Sequence, residues 1–408
     1  MRRAPGDVMA MTDASPLDAF RAAVMADPAA QQALAVLRDP AAFQALAVEW
    51  ANARGIALSL EELFAAVRPD PLGIHRFGPA PQSGAAWPPR AWLPAQCLKE
   101  AGFAIDWFHF AGEPLDDPFF IDTRTRIAAR PFNQLFRYRT QFGDFIEAGQ
   151  DEAVQPSGFI FHMSRCGSTL VSQMLAALPD TISLSEPDPL DTVVQLPLIA
   201  SGVTSDLHVA AVRAMIAALG RDRTGSTRRY FVKLDSWHTV ALPLFRLAFP
   251  EVPWIFLYRE PVEVLVSQER MRGVQTAPGV IPPQIFGFTD EEMSLPDVDY
   301  IARVLARTCA AVVDQWELGG GIAIDYRDLP QAMFTRILPH FGVTPTPAER
   351  ALMEAASGRN AKAPRTGFTQ DSAKKCDDAS PATRAAAERH MAGLHARLQA
   401  LSASSSPR

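Results

Sequence analysis

Apolar residues recur every three or four positions in the first part of the chain, between residues 15 and 68. This spacing predicts a set of short amphipathic helices. Three of them are expected to begin where a capping residue precedes a proline suited to the first helical turn. These pairs are Ser15-Pro16, Asp27-Pro28 and Asp39-Pro40. A fourth helix should follow the capping box at residues 59–62. The helices are expected to share a small core of their own, formed by Leu17, Phe20, Val24, Leu34, Leu37, Phe43, Leu46, Trp50, Leu60 and Phe64.

The pattern changes twice further along the chain. Residues 69–94 are rich in proline and lack periodicity, which predicts a semi-rigid linker, and 95–155 mix aromatic and charged residues as a small accessory module. Short apolar strands then alternate with helical stretches, which predicts an α/β domain over 156–408 with a mainly parallel sheet flanked by helices. The expected strands are Phe159–Phe161, Tyr230–Val232, Trp254–Tyr258 and Ile322–Ile324, and a last helix is expected near 382–401. The helical region 1–68 is predicted to be a separate domain.

Composition narrows the class of protein. The formal net charge of −6 gives no overall electrostatic reason to expect nucleic acid as a partner. Four cysteines with no paired spacing argue against a zinc site or a disulfide framework and fit a reducing compartment. The first residues lack the apolar run of a signal peptide, and no stretch reaches the eighteen apolar residues of a membrane span. We therefore expect a soluble, cytoplasmic protein.

The turn between Phe161 and Leu170 carries the clearest chemistry. It leaves a strand and enters a helix, so backbone N–H groups and the helix dipole favour an anion there. Gly167 lets an anion approach the backbone, Ser168 and the next residue offer hydroxyls, and Arg165 offers a charged fork. The turn is not a Walker A loop, because Ser168 stands where that motif requires lysine. An ordinary kinase is therefore a less favoured alternative, and a plain anion-binding turn is another.

This turn resembles the 5′-phosphosulfate loop of sulfotransferases, which use 3′-phosphoadenosine-5′-phosphosulfate (PAPS). The residues that carry the likeness are Arg165, Cys166, Gly167, Ser168 and Thr169. Together with the motifs below, the resemblance covers about residues 157–345. It implies a P-loop-like fold, these five residues as cofactor-binding, PAPS as donor and no metal. It also implies that Arg165 bears the charge that grows on the leaving 5′-phosphate.

A second motif, "WIFLYREPVEVLVSQERMRG", runs from a strand into a helix. In sulfotransferases an arginine at this strand end and a serine eight residues later bind the 3′-phosphate, and Arg259 and Ser267 match that pair. The residue after the arginine is usually aspartate, whereas this chain has Glu260. A surface arginine beside a buried serine is the alternative.

The resemblance also suggests catalytic residues. Lys233 ends a strand, where a family lysine steadies the transferring sulfonate; a lysine that only forms a salt bridge is the alternative. Glu186 lies twenty-one residues after Arg165, at an offset similar to that of the glutamate base in protein-tyrosine sulfotransferases. Asp235 is the rival base, and His238 lies too far along the chain to match directly. Glu186 could instead cap a turn or pair with an arginine.

Residues 17–67 resemble the helical leader region of Nif-eleven-type peptides, precursors of ribosomally made natural products. That likeness implies a natural-product context and a protein partner docked by the helices; a plain helical bundle remains the alternative. The favoured function is a PAPS-dependent sulfotransferase acting on a hydroxyl or amine of a small-molecule or peptide acceptor. A nucleotide-dependent kinase and a non-catalytic nucleotide-binding protein are the rivals.

Overall fold

The computed structural model describes residues 15–67, 82–99, 102–148, 153–360, 363–367 and 377–404. Contacts divide the chain into two compact units. The first contains 98–113, 125–145 and the residues up to 93; the second contains 94–97, 114–124 and the residues from 146 onward. Cys376 and the first part of the predicted linker lie outside the described residues. The predicted domain boundaries remain a prediction.

The first unit begins with the predicted helices. Their bounds are Pro16–Met25, Pro28–Ala35, Pro40–Asn52 and Leu60–Ala66. The side chains of Ser15, Asp27 and Asp39 each accept a backbone N–H in the following turn, as predicted for N-caps. Ser59 and Glu62 form the expected reciprocal capping box.

These helices share their core with a small sheet. The strands are β1 Gln82–Ser83, β2 Trp92–Leu98, β3 Ala104–His109 and β4 Tyr138–Thr140, in the order β1-β4-β3-β2. The Phe20 ring lies 5.6 Å from that of Phe136, and buried Trp92 donates its indole N–H to Gln31 Oε1 at 2.9 Å. The expectation that the helices have a core of their own is therefore wrong, because their apolar faces are completed by aromatic residues from later in the chain.

The second unit contains a five-stranded parallel sheet. Its strands are β5 Gly158–His162, β6 Thr181–Ser185, β7 Arg229–Lys233, β8 Trp254–Tyr258 and β9 Gly321–Asp325, in the order β6-β7-β5-β8-β9. Each neighbouring pair is parallel. The four strands expected from the sequence lie where they were predicted, since buried parallel strands appear as short continuous apolar runs. The predicted fold class, a mainly parallel sheet flanked by helices, is confirmed.

Helices surround this sheet. Those of seven or more residues are Ser168–Ala176, Asp188–Val194, Ser205–Leu219, Leu242–Ala248, Pro261–Arg270, Asp297–Asp314, Pro347–Ser357 and Pro381–Ser404. Shorter ones are Leu196–Ile199, Pro283–Phe286, Asp290–Met293 and Leu338–His340, with 3₁₀ and π segments at Ser236–Ala241, Val274–Thr276, Trp316–Leu318, Tyr326–Asp328 and Met333–Ile337. Another short helix, Phe142–Glu147, begins in the first unit. Helices Phe120–Ala128 and Pro131–Leu135 precede the sheet in the chain, and a short hairpin pairs Arg359–Asn360 with Ala363–Gly367. Within the described residues, none of the helices combines the length and apolar character needed to cross a bilayer.

The strand order positions the candidate site. After β5 the chain crosses to β6 and β7 on one side of it, and then to β8 and β9 on the other. Connections therefore leave β5 and β8 in opposite directions, which creates a crevice at their carboxyl ends. Open parallel sheets place ligands at such a point, and the turn after β5 lies there.

Candidate functional site

The turn after β5 has an unusual backbone. Ser164, Arg165 and Gly167 have φ angles of 75°, 53° and 86°, in the left-handed region. Each non-glycine residue there costs about 1–3 kcal/mol, so surrounding contacts must hold it. Gly167 is the N-cap of helix Ser168–Ala176 and supplies no side-chain cap. The first backbone N–H groups of this helix are therefore available to an anion.

Three side-chain contacts hold the turn in this conformation. His162 Nδ1 accepts the Ser164 amide at 3.1 Å, and Gln268 Nε2 donates to Ser164 Oγ at 3.1 Å. The Cys166 thiol is fully buried and donates to the Leu257 carbonyl at 3.1 Å. Burial raises the pKa of this thiol to about 12. Because the thiol points into the interior, a contact between Cys166 and a cofactor would involve its backbone.

A lysine–carboxylate pair lies at the ends of β6 and β7. The register pairs Ser185 with Lys233, and the Glu186 amide donates to the Lys233 carbonyl at 2.8 Å. Lys233 Nζ donates to Glu186 Oε1, and His162 Nε2 lies 3.3 Å from the same oxygen. Lys233 is almost fully buried, whereas 25% of the Glu186 side chain is exposed. The sheet thus brings together two of the three residues, Lys233 and Glu186, for which the sequence predicted catalytic roles.

The protonation of Glu186 depends on opposing effects. Burial raises its pKa, but the charge of Lys233 and the hydrogen bond from His162 outweigh burial and hold the pKa well below its usual value. Glu186 is therefore ionised at neutral pH.

Arg165, the loop arginine, donates to the Met271 carbonyl.

Asp235, the alternative base, lies in a different environment. It is buried, and burial together with repulsion from Glu186 and Asp191 raises its pKa well above the usual value. His238, which sequence distance had set aside, approaches Asp191 Oδ1 at 2.9 Å and Asp235 Oδ2 at 3.7 Å. Trp237 donates to the same Asp191 oxygen at 2.7 Å. One potential ligand atom from each of Asp191, Asp235 and His238 lies within 4.8 Å of the other two, close enough to hold a metal ion.

Arg259 follows β8 and is already paired in this structure. Its Nε donates to Glu263 Oε2 at 2.6 Å, and its guanidinium carbon lies 4.0 Å from the centre of the Tyr326 ring. Its Nη1 donates to the Arg165 carbonyl at 3.5 Å, so it lies beside the turn after β5. Ser267 is half-buried in the same helix, Pro261–Arg270. Arg259 therefore lies beside the loop, paired with the Glu263 carboxylate, and the assignment of Arg259 and Ser267 to a 3′-phosphate remains a prediction.

Sequence reasoning missed several residues of this site. His162 offered a signal, since it is the one polar side chain in the strand "GFIFH". Gln268 offered none, because helix periodicity does not reveal a partner 104 residues away. Glu263 lies four residues after Arg259, a spacing at which ion pairs form along a helix. Phe119 belongs to segment 114–124, yet its ring centre lies 5.0 Å from Lys233 Nζ. A cation over an aromatic face is stabilised by the ring quadrupole.

No family model and no curated protein matches the chain. Among solved structures, it is similar to a sulfotransferase from Alicyclobacillus acidocaldarius, with 17% identity and a TM-score of 0.38 over 61% of this chain and 96% of that one. It is also similar to the sulfotransferase domain of the Synechococcus PCC 7002 olefin synthase, at 17% identity and a TM-score of 0.33 over 62% of this chain and 95% of that one. A third similar structure is the sulfotransferase STF1 of Mycobacterium tuberculosis H37Rv, with 17% identity and a TM-score of 0.32 over 62% of this chain and 87% of that one. Similarity this distant carries no argument about activity.

Proposed function

We propose that this protein is a PAPS-dependent sulfotransferase that moves a sulfonate to a hydroxyl or amine acceptor. One observation carries the proposal: three neighbouring strand ends bring together an anion-binding turn, the Lys233–Glu186 pair and Arg259. An anion-binding turn alone would suit many nucleotides. A buried lysine and an ionised carboxylate beside it add what group transfer to a protic acceptor requires.

The residues present fit the donor. The turn 164–169 and the N-terminus of helix Ser168–Ala176 would hold its 5′ end, with Arg165 as the charged partner. Arg259 and Ser267 would hold the 3′-phosphate, which sets PAPS apart from ATP-like nucleotides. PAPS supplies an activated sulfonate on its 5′-phosphate. Because charge spreads over oxygens in such a transfer, positioning and electrostatic stabilisation should dominate catalysis, by analogy with phosphoryl transfer.

Lys233 and Glu186 have different roles in the transfer: Lys233 contacts the sulfonate, and Glu186 acts on the acceptor. Glu186 takes the acceptor's proton as the acceptor oxygen or nitrogen bonds to sulfur and the bond from sulfur to the 5′-phosphate oxygen breaks. A carboxylate held by a lysine is a weak base. When Lys233 turns from Glu186 to the sulfonate, burial is no longer opposed by that charge and raises the pKa of Glu186. Donor binding would thereby activate the base.

The acceptor is proposed to be a small molecule or peptide in the cytoplasm. The resemblance of residues 17–67 to natural-product leader regions suggests a biosynthetic pathway, with a protein partner docked on the N-terminal helices.

Labelled PAPS tests the proposal directly. The full-length protein is incubated with [³⁵S]PAPS and extract of the producing cells in excess EDTA, and acceptors are identified by mass spectrometry. We expect an added sulfonate and release of 3′,5′-bisphosphoadenosine. Transfer from ATP that EDTA abolishes and Mg²⁺ restores would instead favour the kinase, with Asp191, Asp235 and His238 as the candidate metal group. Nucleotide binding without transfer to any acceptor would favour the non-catalytic alternative.

A further inference from the structure

His162 contacts both the turn after β5 and the Glu186 carboxylate of the lysine–carboxylate pair. It is the last residue of β5 and is only 4% exposed. Its Nδ1 accepts the Ser164 amide at 3.1 Å, and its Nε2 lies 2.9 Å from the Leu234 carbonyl and 3.3 Å from Glu186 Oε1. A neutral imidazole has one donor and one acceptor. Because the amide can only donate to Nδ1, the proton must lie on Nε2, where two acceptors face it.

Both residues joined by this ring have left-handed backbones. The φ angle is 75° at Ser164 and 51° at Glu186, where non-glycine residues are strained. Strained positions persist only where contacts fix them. A buried histidine that merely satisfied its own polar atoms would not need to bond to two such residues.

Burial is the main reason that the His162 ring is neutral. Burial lowers the pKa of His162, and the nearby ammonium of Lys233 lowers it further, although Glu186 opposes both. The charges of Arg165 and Asp235 also interact with that of Glu186. A neutral ring keeps its acceptor for the turn and its donor for the carboxylate.

We propose that His162 is a positioning residue that couples the anion-binding turn to the Glu186 base: Nδ1 fixes Ser164, and Nε2–H fixes the carboxylate next to Lys233. The inference rests on the proposed function for the role of Glu186 as base. Because each ring nitrogen has its own partner, the contacts of Nδ1 and of Nε2 can be removed separately by substitution. An asparagine amide can place an acceptor near the position of Nδ1, and a glutamine amide can place a donor near that of Nε2.

The two variants should therefore fail differently. His162→Asn should bind 3′,5′-bisphosphoadenosine within about threefold of wild type but lose about tenfold or more in kcat, since the carboxylate loses its donor. His162→Gln should lose about threefold to tenfold in nucleotide affinity, since the turn loses its acceptor. Half-buried His208, whose Nε2 contacts the Val193 carbonyl at 3.0 Å, is the matched control. His208→Asn and His208→Gln should show no such difference. Equal losses in both parameters for both His162 variants would overturn the proposal.

A ring-nitrogen measurement decides the same point without any turnover. In ¹⁵N-histidine NMR of the wild-type protein, eight histidines are present, and the His162 ring signals are assigned by their correlation with the backbone of His162. We expect a neutral ring with its proton on Nε2 at pH 7, and a shift of the Nε2 signal in Glu186→Gln. A cationic ring, a proton on Nδ1, or no response to Glu186→Gln would overturn the coupling. A wild-type protein with the expected spectrum but no sulfonate transfer would instead contradict the proposed function, and this measurement also decides if both variants fail to fold.

Discussion

Glu186 and Asp235 show how neighbouring carboxylates acquire different protonation states. Both lie at the same edge of the sheet, but Lys233 and His162 hold the pKa of Glu186 down, whereas burial and negative neighbours raise that of Asp235. Titratable groups whose environments separate their pKa values usually have separate roles. An ionised carboxylate such as Glu186 is ready to accept a proton, whereas the raised pKa of Asp235 favours its protonated form, which is not. This difference favours Glu186 as the base, a choice that the sequence alone left open.

Glu186→Gln removes the proposed proton acceptor while keeping nearly the same shape. We expect kcat to fall by about 10²–10⁴-fold, the usual contribution of general-base catalysis, with little change in nucleotide affinity. Sulfonate transfer and calorimetry measure the two quantities. Asp235→Asn should have a much smaller effect on kcat. A fully active Glu186→Gln protein would move the role to Asp235 or to the substrate.

Asp235 should make stability depend on pH. Its pKa is raised on folding, so the folded state binds more protons and stability falls as pH rises from its unfolded value of 3.8 through the folded pKa. The cost is therefore absent in acid and grows as pH rises from 3.8 toward the folded pKa. Asp235→Asn should raise Tm at pH 7 relative to wild type, and the gain should shrink toward pH 4. A gain that is the same at both pH values would show that ionisation is not the cause.

At the scale of elements, the sequence predicted strand ends well and side-chain partners poorly. Apolar runs located β5, β7, β8 and β9, so the residues that follow these strands were expected at one edge. Helix Leu60–Ala66 shows the limit. Leu60 and Phe64 were expected in the core, yet they are 57% and 69% exposed, and Leu63 is buried instead. In a helix this short, two adjacent apolar stripes are equally plausible, and only the tertiary contacts select one.

Gln268 links helix Pro261–Arg270 to the turn. It is fully buried, donates to Ser164 Oγ and accepts the Gly273 amide at 2.7 Å. Gln268→Met keeps the shape but leaves these partners unpaired, at about 1–3 kcal/mol per buried group. We expect a lower free energy of unfolding in urea and weaker binding of 3′,5′-bisphosphoadenosine. Gln284→Met, at an exposed position, is the control. Equal effects in both variants would exclude a role for Gln268 in holding the turn.

Arg259 and Glu263 test the assignment of the 3′-phosphate. A charge-assisted bond is worth about 1.5–3 kcal/mol, so wild type should prefer 3′,5′-bisphosphoadenosine to adenosine 5′-monophosphate by about ten- to a hundredfold. Arg259→Met alone would leave the buried Glu263 carboxylate without its arginine. The double variant Arg259→Met/Glu263→Gln avoids this and should lose the preference in calorimetry. A preference that survives in the double variant would place the 3′-phosphate elsewhere.

At the scale of the whole molecule, sequence periodicity suggested that the N-terminal helices fold independently, whereas the structure shows that they share a core with residues from later in the chain. The helices of residues 16–66 looked self-contained because each has its own cap and apolar face. Their buried side chains nevertheless pack against residues more than 60 positions later, which no local pattern can reveal. By contrast, the candidate site lies wholly in the second unit. Many of its residues end a strand or directly follow one in the sequence, so local apolar patterns were sufficient to place most of these at one edge of the sheet.

Removing residues 1–67 should therefore unfold the first unit and leave the second folded. The deletion takes away Phe20 and Gln31 and exposes Trp92 and Phe136, and losing a buried phenylalanine alone costs about 3–5 kcal/mol. In hydrogen exchange, amides of β3 should lose their protection, because β3 belongs to the first unit, whereas amides of β5 should keep theirs. Phe20→Ala in the full chain is the milder companion and should weaken protection of β3 in the same direction. If β3 stays protected in the truncated chain, the helices form an independent domain after all.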